Sequence, residues 1–267
     1  MKEMQWGFIG CGNMAKAMIR GMVEHNAVKA EEVIASDALV DALEPMAALG
    51  VQTTQDNKEV ASKSRYVVLA VKPMFYPAVI AEIAPLISED TVIVTIAAGQ
   101  EIATMETQFG KPVKLIRTMP NTPAMVGEGM TAICPNENVG ADELEEMKKA
   151  FSAFCLVEQV PERLMDAVTS VSGSSPAYVF LFIEAMADAA VQQGMPRGQA
   201  YRFAAQAVLG SAKMVLETGK HPGELKDMVC SPAGTTIAAV KVLEEKGFRG
   251  AVMDAMEACG NVSKGMK

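Results

Sequence analysis

Met4-Gln5-Trp6-Gly7-Phe8-Ile9 runs directly into Gly10-Cys11-Gly12-Asn13-Met14-Ala15, which opens Lys16-Ala17-Met18-Ile19-Arg20. An apolar run of strand character meets a glycine turn, and the turn starts an amphipathic helix. In that order the three pieces form the fingerprint of a dinucleotide site, with Ala15 at the third small position. Gly10 permits the tight turn, and Gly12 lets a pyrophosphate approach the backbone. Ala15 keeps the helix close to the strand, and the unpaired N–H groups at the helix start face the phosphate charge. A glycine turn without flanks would only join a strand to a helix; here both flanks are present.

The pattern repeats downstream. After a helix to about Glu24, Val33-Ile34-Ala35-Ser36-Asp37 reads as a second strand, whose tip in such a unit meets the adenosine ribose. A carboxylate there suits the 2′-hydroxyl of NAD, and a hydroxyl or basic group suits a 2′-phosphate. Ser36 leans toward NADP, Asp37 points the other way, and Asp37 serves equally as a cap for the next helix. Asp41–Leu49, Val51–Thr54 and Asn57–Ala61 read as helix, edge strand and short helix. Arg65–Val71 and Thr91–Ile96 are continuous apolar runs, as buried parallel strands require. They end in Ala70-Val71-Lys72-Pro73 and Ala97-Ala98-Gly99, on the crevice edge where ligands of such sheets bind. Lys114–Arg117 ends in Met119-Pro120-Asn121-Thr122-Pro123, where two prolines stiffen a loop and hold the Asn121 amide ready to donate to a ligand. Gly129–Cys134, a helix over 141–154 and Val157–Pro161 complete an α/β pattern that predicts a doubly wound, mostly parallel sheet.

From Glu162 onward no strand pattern remains, so residues 1–161 are expected to form a Rossmann domain and residues 162–267 an all-α domain. Helices are expected over 164–172 and 178–193, broken at Gly173-Ser174-Ser175-Pro176, and again over 197–218. The last carries a smooth face of Ala204, Ala205, Ala207, Gly210, Ser211 and Ala212. So many apolar faces in about 105 residues call for a second copy of the chain, a homodimer at least. Cys230-Ser231-Pro232-Ala233-Gly234-Thr235-Thr236-Ile237 then reads as a helix start, with Ser231 as N-cap and Pro232 as first helical residue. Free N–H groups and two threonine hydroxyls there make a compact receptor for a carboxylate, although a well-capped structural helix would read the same.

Composition bounds the partners. The chain has 267 residues and a formal net charge of −8, which argues against nucleic acid. The start enters a strand at once and predicts no leader peptide, and no run of about 18 residues is free of strongly polar groups, so no membrane span is expected. Five scattered cysteines without a Cys-x-x-Cys pair, and only His25 and His221, predict neither zinc nor disulfides, and fit a reducing cytoplasm.

Together these motifs resemble the pyrroline-5-carboxylate reductase family, in order and over essentially the whole chain. The stretch Ser231–Ile237 is its most specific part. The resemblance implies reduction of L-1-pyrroline-5-carboxylate to L-proline, with NADPH as cofactor and NADH as the alternative. It implies a Rossmann domain followed by a helical domain interlocked with a second subunit, and an imino acid held between the nicotinamide and the Ser231–Thr236 turn. The family extends to larger rings of dimers. Carried onto this chain, Ile9, Gly10, Cys11, Gly12, Asn13, Met14, Ser36, Asn57, Ala70, Val71, Lys72, Pro73, Ala97, Ala98 and Gly99 would touch the cofactor. Ser231, Gly234, Thr235 and Thr236 would hold the carboxylate and ring nitrogen, and Asn121 is a further substrate candidate. Thr236 is the catalytic candidate, orienting or donating at the imine nitrogen. Ser175 and Ala233 stand where family members more often have glycine. A β-hydroxyacid dehydrogenase, which would use a lysine on the first long helix after the boundary, is disfavoured because no lysine occurs from Ala150 through Ala212. A non-enzymatic dinucleotide sensor is disfavoured by the intact Ser231–Thr236 turn.

Overall fold

The computed structural model describes residues 2–265. Its first compact unit runs to Ser174 and takes back the chain from Cys259; the second is Ser175–Ala258. The units therefore part beyond Pro161, where the sequence pattern changes.

In the first unit, eight strands form one sheet: β1 (Met4–Ile9), β2 (Val33–Ser36), β3 (Gln52–Thr54), β4 (Ser64–Leu69), β5 (Val92–Thr95), β6 (Lys114–Met119), β7 (Gly129–Pro135) and β8 (Cys155–Gln159). Their order is β3-β2-β1-β4-β5-β6-β7-β8, parallel throughout except for the antiparallel β6–β7 pair. The order reverses between β1 and β4, which is where a doubly wound sheet opens its ligand crevice. The helices are α1 (Asn13–Glu24), α2 (Val40–Ala47), α3 (Asn57–Lys63), α4 (Tyr76–Ile83), α5 (Ile102–Phe109), α6 (Ala141–Phe151) and α7 (Met165–Val168).

Period-2 alternation sends the strand side chains into two cores. Phe8, Val68 and Val94 pack on one face, with Trp6 stacked on Tyr66 at 4.4 Å between ring centroids; Ile9, Val67, Leu69 and Ile93 pack on the other. Each such side chain is fully buried, which stabilises the sheet by roughly 1.5–3 kcal/mol apiece. Burial on both faces is why these strands read as unbroken apolar runs. Helix α5 escaped the sequence reading, although Ile102, Met105 and Phe109 share its inner face and Gly110, at φ 65°, ends it in the left-handed conformation.

The expected break at Gly173–Pro176 is a different object. Met165–Val168 passes into a π turn over Thr169–Gly173, closed by the Ser174 N–H donating to the Thr169 carbonyl at 2.8 Å, and the break narrows to a bend at Ser174 before the next helix starts at Ser175. The second unit consists of α8 (Ser175–Gln192), α9 (Arg197–Thr218), α10 (Pro222–Val229), α11 (Thr235–Glu245) and most of α12 (Phe248–Gly265), with α8 and α9 packed side by side. Its surface is strongly apolar: Leu216, Leu181 and Phe203 are 75%, 68% and 66% exposed. The helical run Glu162–Gln192 is long and apolar enough to cross a membrane by length and composition, a property the sequence reading had not expected. Its mean hydropathy reaches 1.2, because the apolar residues around Val179–Ile183 outweigh the polar ones.

Candidate active site

The glycine turn lies between the ends of three strands and is fastened to two of them. Gly10 N–H donates to the Ser36 carbonyl at 2.8 Å, and Ala70 N–H donates to the Ile9 carbonyl at 2.8 Å. Gly10 has φ 93°, and a Cβ there would stand 2.8 Å from the Ala70 carbonyl carbon, so both conformation and space require glycine. Gly12 caps α1 with no side-chain hydrogen bond, is exposed, and a Cβ on it would meet nothing within 4 Å. The first N–H groups of α1 therefore open onto free space, a fit for the pyrophosphate of a dinucleotide.

Supports of this crevice lie below it. Tyr76, fully buried at the start of α4, donates to the Leu69 carbonyl at 2.7 Å and meets Thr95 Oγ1 at 2.8 Å. Burial pushes its phenol above the ordinary tyrosine range, so it stays a neutral donor. Thr118 Oγ1 donates to the Thr95 carbonyl at 2.8 Å, tying β6 to the tip of β5. Neither residue stood out in the sequence, since an aromatic and a threonine near strand ends carry no motif.

The expected cofactor residues Ile9, Gly10, Cys11, Gly12, Asn13, Met14, Ser36, Asn57, Ala70, Val71, Lys72, Pro73, Ala97, Ala98 and Gly99 gather at the carboxyl ends of β1 to β5. They differ in what they present. Gly12, Asn13, Lys72 and Pro73 are exposed, and Met14, Ala70, Val71 and Ala98 are half-buried. Ile9 and Cys11 turn their side chains into the cores, and burial pushes the Cys11 thiol up to about 11, so it remains a thiol at neutral pH. Ser36 is fully buried; its hydroxyl donates to Asn57 Oδ1 at 2.8 Å and lies 3.4 Å from the Phe8 carbonyl. Asn57 in turn donates to Glu82 at 2.9 Å. The hydroxyl expected to read the ribose thus faces inward. Asp37, half-buried, takes the position toward the crevice instead, accepting from the Cys11 N–H at 2.7 Å and the Leu39 N–H at 3.0 Å.

Asn121 is likewise engaged inside the fold. It is 8% exposed, donates to the Ser172 carbonyl at 3.1 Å and accepts from the Met130 N–H at 2.8 Å. Pro176, four residues after Ser172, has no N–H to give that carbonyl, so the Asn121 amide replaces the missing helical bond. The structure corrects the expectation of an amide held free for a ligand: its residue clamps the π turn.

In the second unit, the helix after Cys230 begins later than the sequence suggested. Ser231-Pro232-Ala233-Gly234 is a tight turn, closed by the Gly234 N–H donating to the Ser231 carbonyl at 3.0 Å, and α11 starts at Thr235. Proline second and a positive φ of 54° at Ala233 third are the requirements of a type II turn. Ser231 is therefore no N-cap; Gly234 is, with no side-chain hydrogen bond to the helix. A Cβ on Gly234 would stand 2.3 Å from Ser231 Oγ and 3.1 Å from the Ser231 carbonyl oxygen, so a larger residue there would displace the Ser231 hydroxyl from the turn. The first-turn N–H groups of α11 lack a side-chain cap, with the Thr235 and Thr236 hydroxyls on the same turn and Ser231 exposed beside it. Free N–H groups at a helix start carry partial positive charge, the chemistry that suits a small anion. Among the described residues, no cluster of His, Cys, Asp and Glu has the makings of a metal site.

Comparison with known proteins matches both halves. A family model described as pyrroline-5-carboxylate reductase dimerisation matches residues 162–266, and one described as NADP oxidoreductase coenzyme F420-dependent matches residues 5–99. A relative from Escherichia coli, pyrroline-5-carboxylate reductase, is 50% identical over 96% of each chain. A solved structure of a pyrroline-5-carboxylate reductase from Coxiella burnetii superposes with a TM-score of 0.91 at 34% identity, covering 99% of each chain. The Plasmodium falciparum pyrroline carboxylate reductase, solved with NADP bound, gives a TM-score of 0.89 at 31% identity over 100% of this chain and 99% of its own.

Proposed function

The chain belongs to the pyrroline-5-carboxylate reductase family, and from that premise we infer that it reduces L-1-pyrroline-5-carboxylate to L-proline with NAD(P)H, the last step of proline biosynthesis. The observation that carries this reading is the uncapped start of α11 behind the Ser231–Gly234 turn, a carboxylate receptor in a chain that also has a complete phosphate turn.

When bound, NAD(P)H supplies the hydride that adds to the imine carbon, while the ring nitrogen takes a proton. The chain has to hold the imino acid and keep its nitrogen protonated, because a cyclic iminium is already a good acceptor. The N–H groups at Thr235 and Thr236 take the substrate carboxylate, helped by the Ser231 and Thr235 hydroxyls. Thr236 Oγ1 hydrogen-bonds the nitrogen or a water beside it. Apart from Asp227 and Lys226 four and five residues before Ser231, no acid or base lies close in sequence to this turn, and His221 directs its Nδ1 to the Gly223 N–H at 3.1 Å. Positioning therefore does more here than strong acid–base catalysis. Gly10 to Met14, Ala70 to Pro73 and Ala97 to Gly99 hold the dinucleotide.

The apolar faces of α8 to α12 support a homodimer at least, with rings of dimers as the larger form, and a protein partner rather than lipid over Glu162–Gln192. Five free thiols support a cytoplasmic location.

Oxidation of NAD(P)H by the purified protein with pyrroline-5-carboxylate as the acceptor, and no reduction of NAD(P)+ by hydroxyacids, is the expected result. Activity with hydroxyacids alone would replace this reading by a dehydrogenase. For Thr236, the Thr236→Ala variant is expected to lose at least tenfold in kcat/KM, as removal of a hydrogen bond in a reacting complex does. Unchanged kcat and KM would remove Thr236 from the site.

A further inference from the structure

The sequence offers two opposed residues at the end of β2, and the structure separates them. Ser36 is fully buried with its hydroxyl directed to Asn57. Asp37 is half-buried at the mouth of the crevice, each carboxylate oxygen accepting one backbone N–H, from Cys11 at 2.7 Å and from Leu39 at 3.0 Å. The Cys11 N–H belongs to the glycine turn itself, so the carboxylate and the turn are one fixed piece. Each oxygen still has capacity for a further donor, such as a ribose hydroxyl.

Charge nearby points the same way. No lysine or arginine lies between Lys29 and Lys58, while Asp37, Asp41 and Glu44 follow β2. A 2′-phosphate brings about −1.5 to −2 charges.

We propose that Asp37 sets the cofactor preference of this chain, accepting from the 2′-hydroxyl of NADH and disfavouring the 2′-phosphate of NADPH. The proposal rests on the reading that the first unit binds NAD(P)H. It assigns the discrimination to a carboxylate held by the glycine turn rather than to Ser36 or Asn57.

The test is the dissociation constant of NADH and of NADPH, each measured by the fluorescence of the bound nicotinamide, for the wild type, Asp37→Ser and Asp37→Asn. Asp37→Ser is expected to move the ratio of the two constants toward NADPH by about tenfold. Asp37→Asn keeps an oxygen for the Cys11 N–H while removing the charge, and it should move the ratio in the same direction. A ratio unchanged in both variants, or equal weakening of both cofactors, overturns the proposal and leaves Asp37 as a prop for the turn. Binding of neither cofactor by the wild type overturns this proposal and the NAD(P)H reading together.

Discussion

At the scale of single residues, hydrogen-bond partners decide which polar groups face a ligand. Ser36 and Asn121 are polar, lie at strand ends and look available in the sequence, yet both are directed inward. Asp37 reads equally as a helix cap, and in the structure it is a half-buried carboxylate accepting from the Cys11 and Leu39 N–H groups. Ala233 shows the reverse case. It holds φ 54°, a left-handed conformation that costs a non-glycine residue about 1 kcal/mol, so the site keeps a local strain. Ala233→Gly is expected to stabilise the folded chain by roughly 0.5–1 kcal/mol, net of the greater freedom glycine has when unfolded. Thermal melting measures it, and an unchanged or lower midpoint would mean that the turn has another conformation in solution.

At the scale of elements, each unit has one helix start of its own that is open to a ligand, and the first unit has one irregular turn. Both α1 and α11 begin at a glycine cap with no side-chain partner, which leaves their first N–H groups to a ligand. The π turn over Thr169–Gly173 has an identifiable cause in Pro176, and the Asn121 amide restores the bond that proline cannot make. Asn121→Ala leaves the Ser172 carbonyl and the Met130 N–H without their partner. It is expected to reduce the unfolding free energy by about 2–4 kcal/mol, as measured by urea denaturation. A loss under ~1 kcal/mol would show that water replaces the amide and that the clamp is dispensable.

At the scale of the whole molecule, the two units differ in how they are stabilised. The first has two closed cores on either side of its sheet. The second buries few large side chains of its own, and Phe180, Leu181, Phe203, Leu209 and Leu216 all stand exposed. Such a surface calls for a second copy, as its match to a dimerisation family describes. Sedimentation at micromolar concentration is expected to give at least twice the 28.4 kDa of the chain. A combined Phe203→Asp and Leu216→Asp substitution should shift it toward the single-chain mass and lower the melting temperature. A wild type sedimenting as a single chain would refute the association.

The sequence by itself determined the doubly wound sheet, because burial on both faces forces continuous apolar strands, and it determined the phosphate turn, because small residues are required at fixed spacing. It also carried the family, through Ser231–Ile237. Helix α5 is not among the expected elements, although the spacing of Ile102, Met105 and Phe109 ahead of Gly110 carries its signal. Only the tertiary structure decided which way Ser36, Asp37 and Asn121 point, since that depends on hydrogen-bond partners 21, 26 and 51 residues away in the chain. Only it placed the α11 start at Thr235, because a proline after a serine is equally the first residue of a helix and the second of a turn. Local pattern sets period and punctuation; which polar group meets a ligand is set by partners that only folding brings within reach.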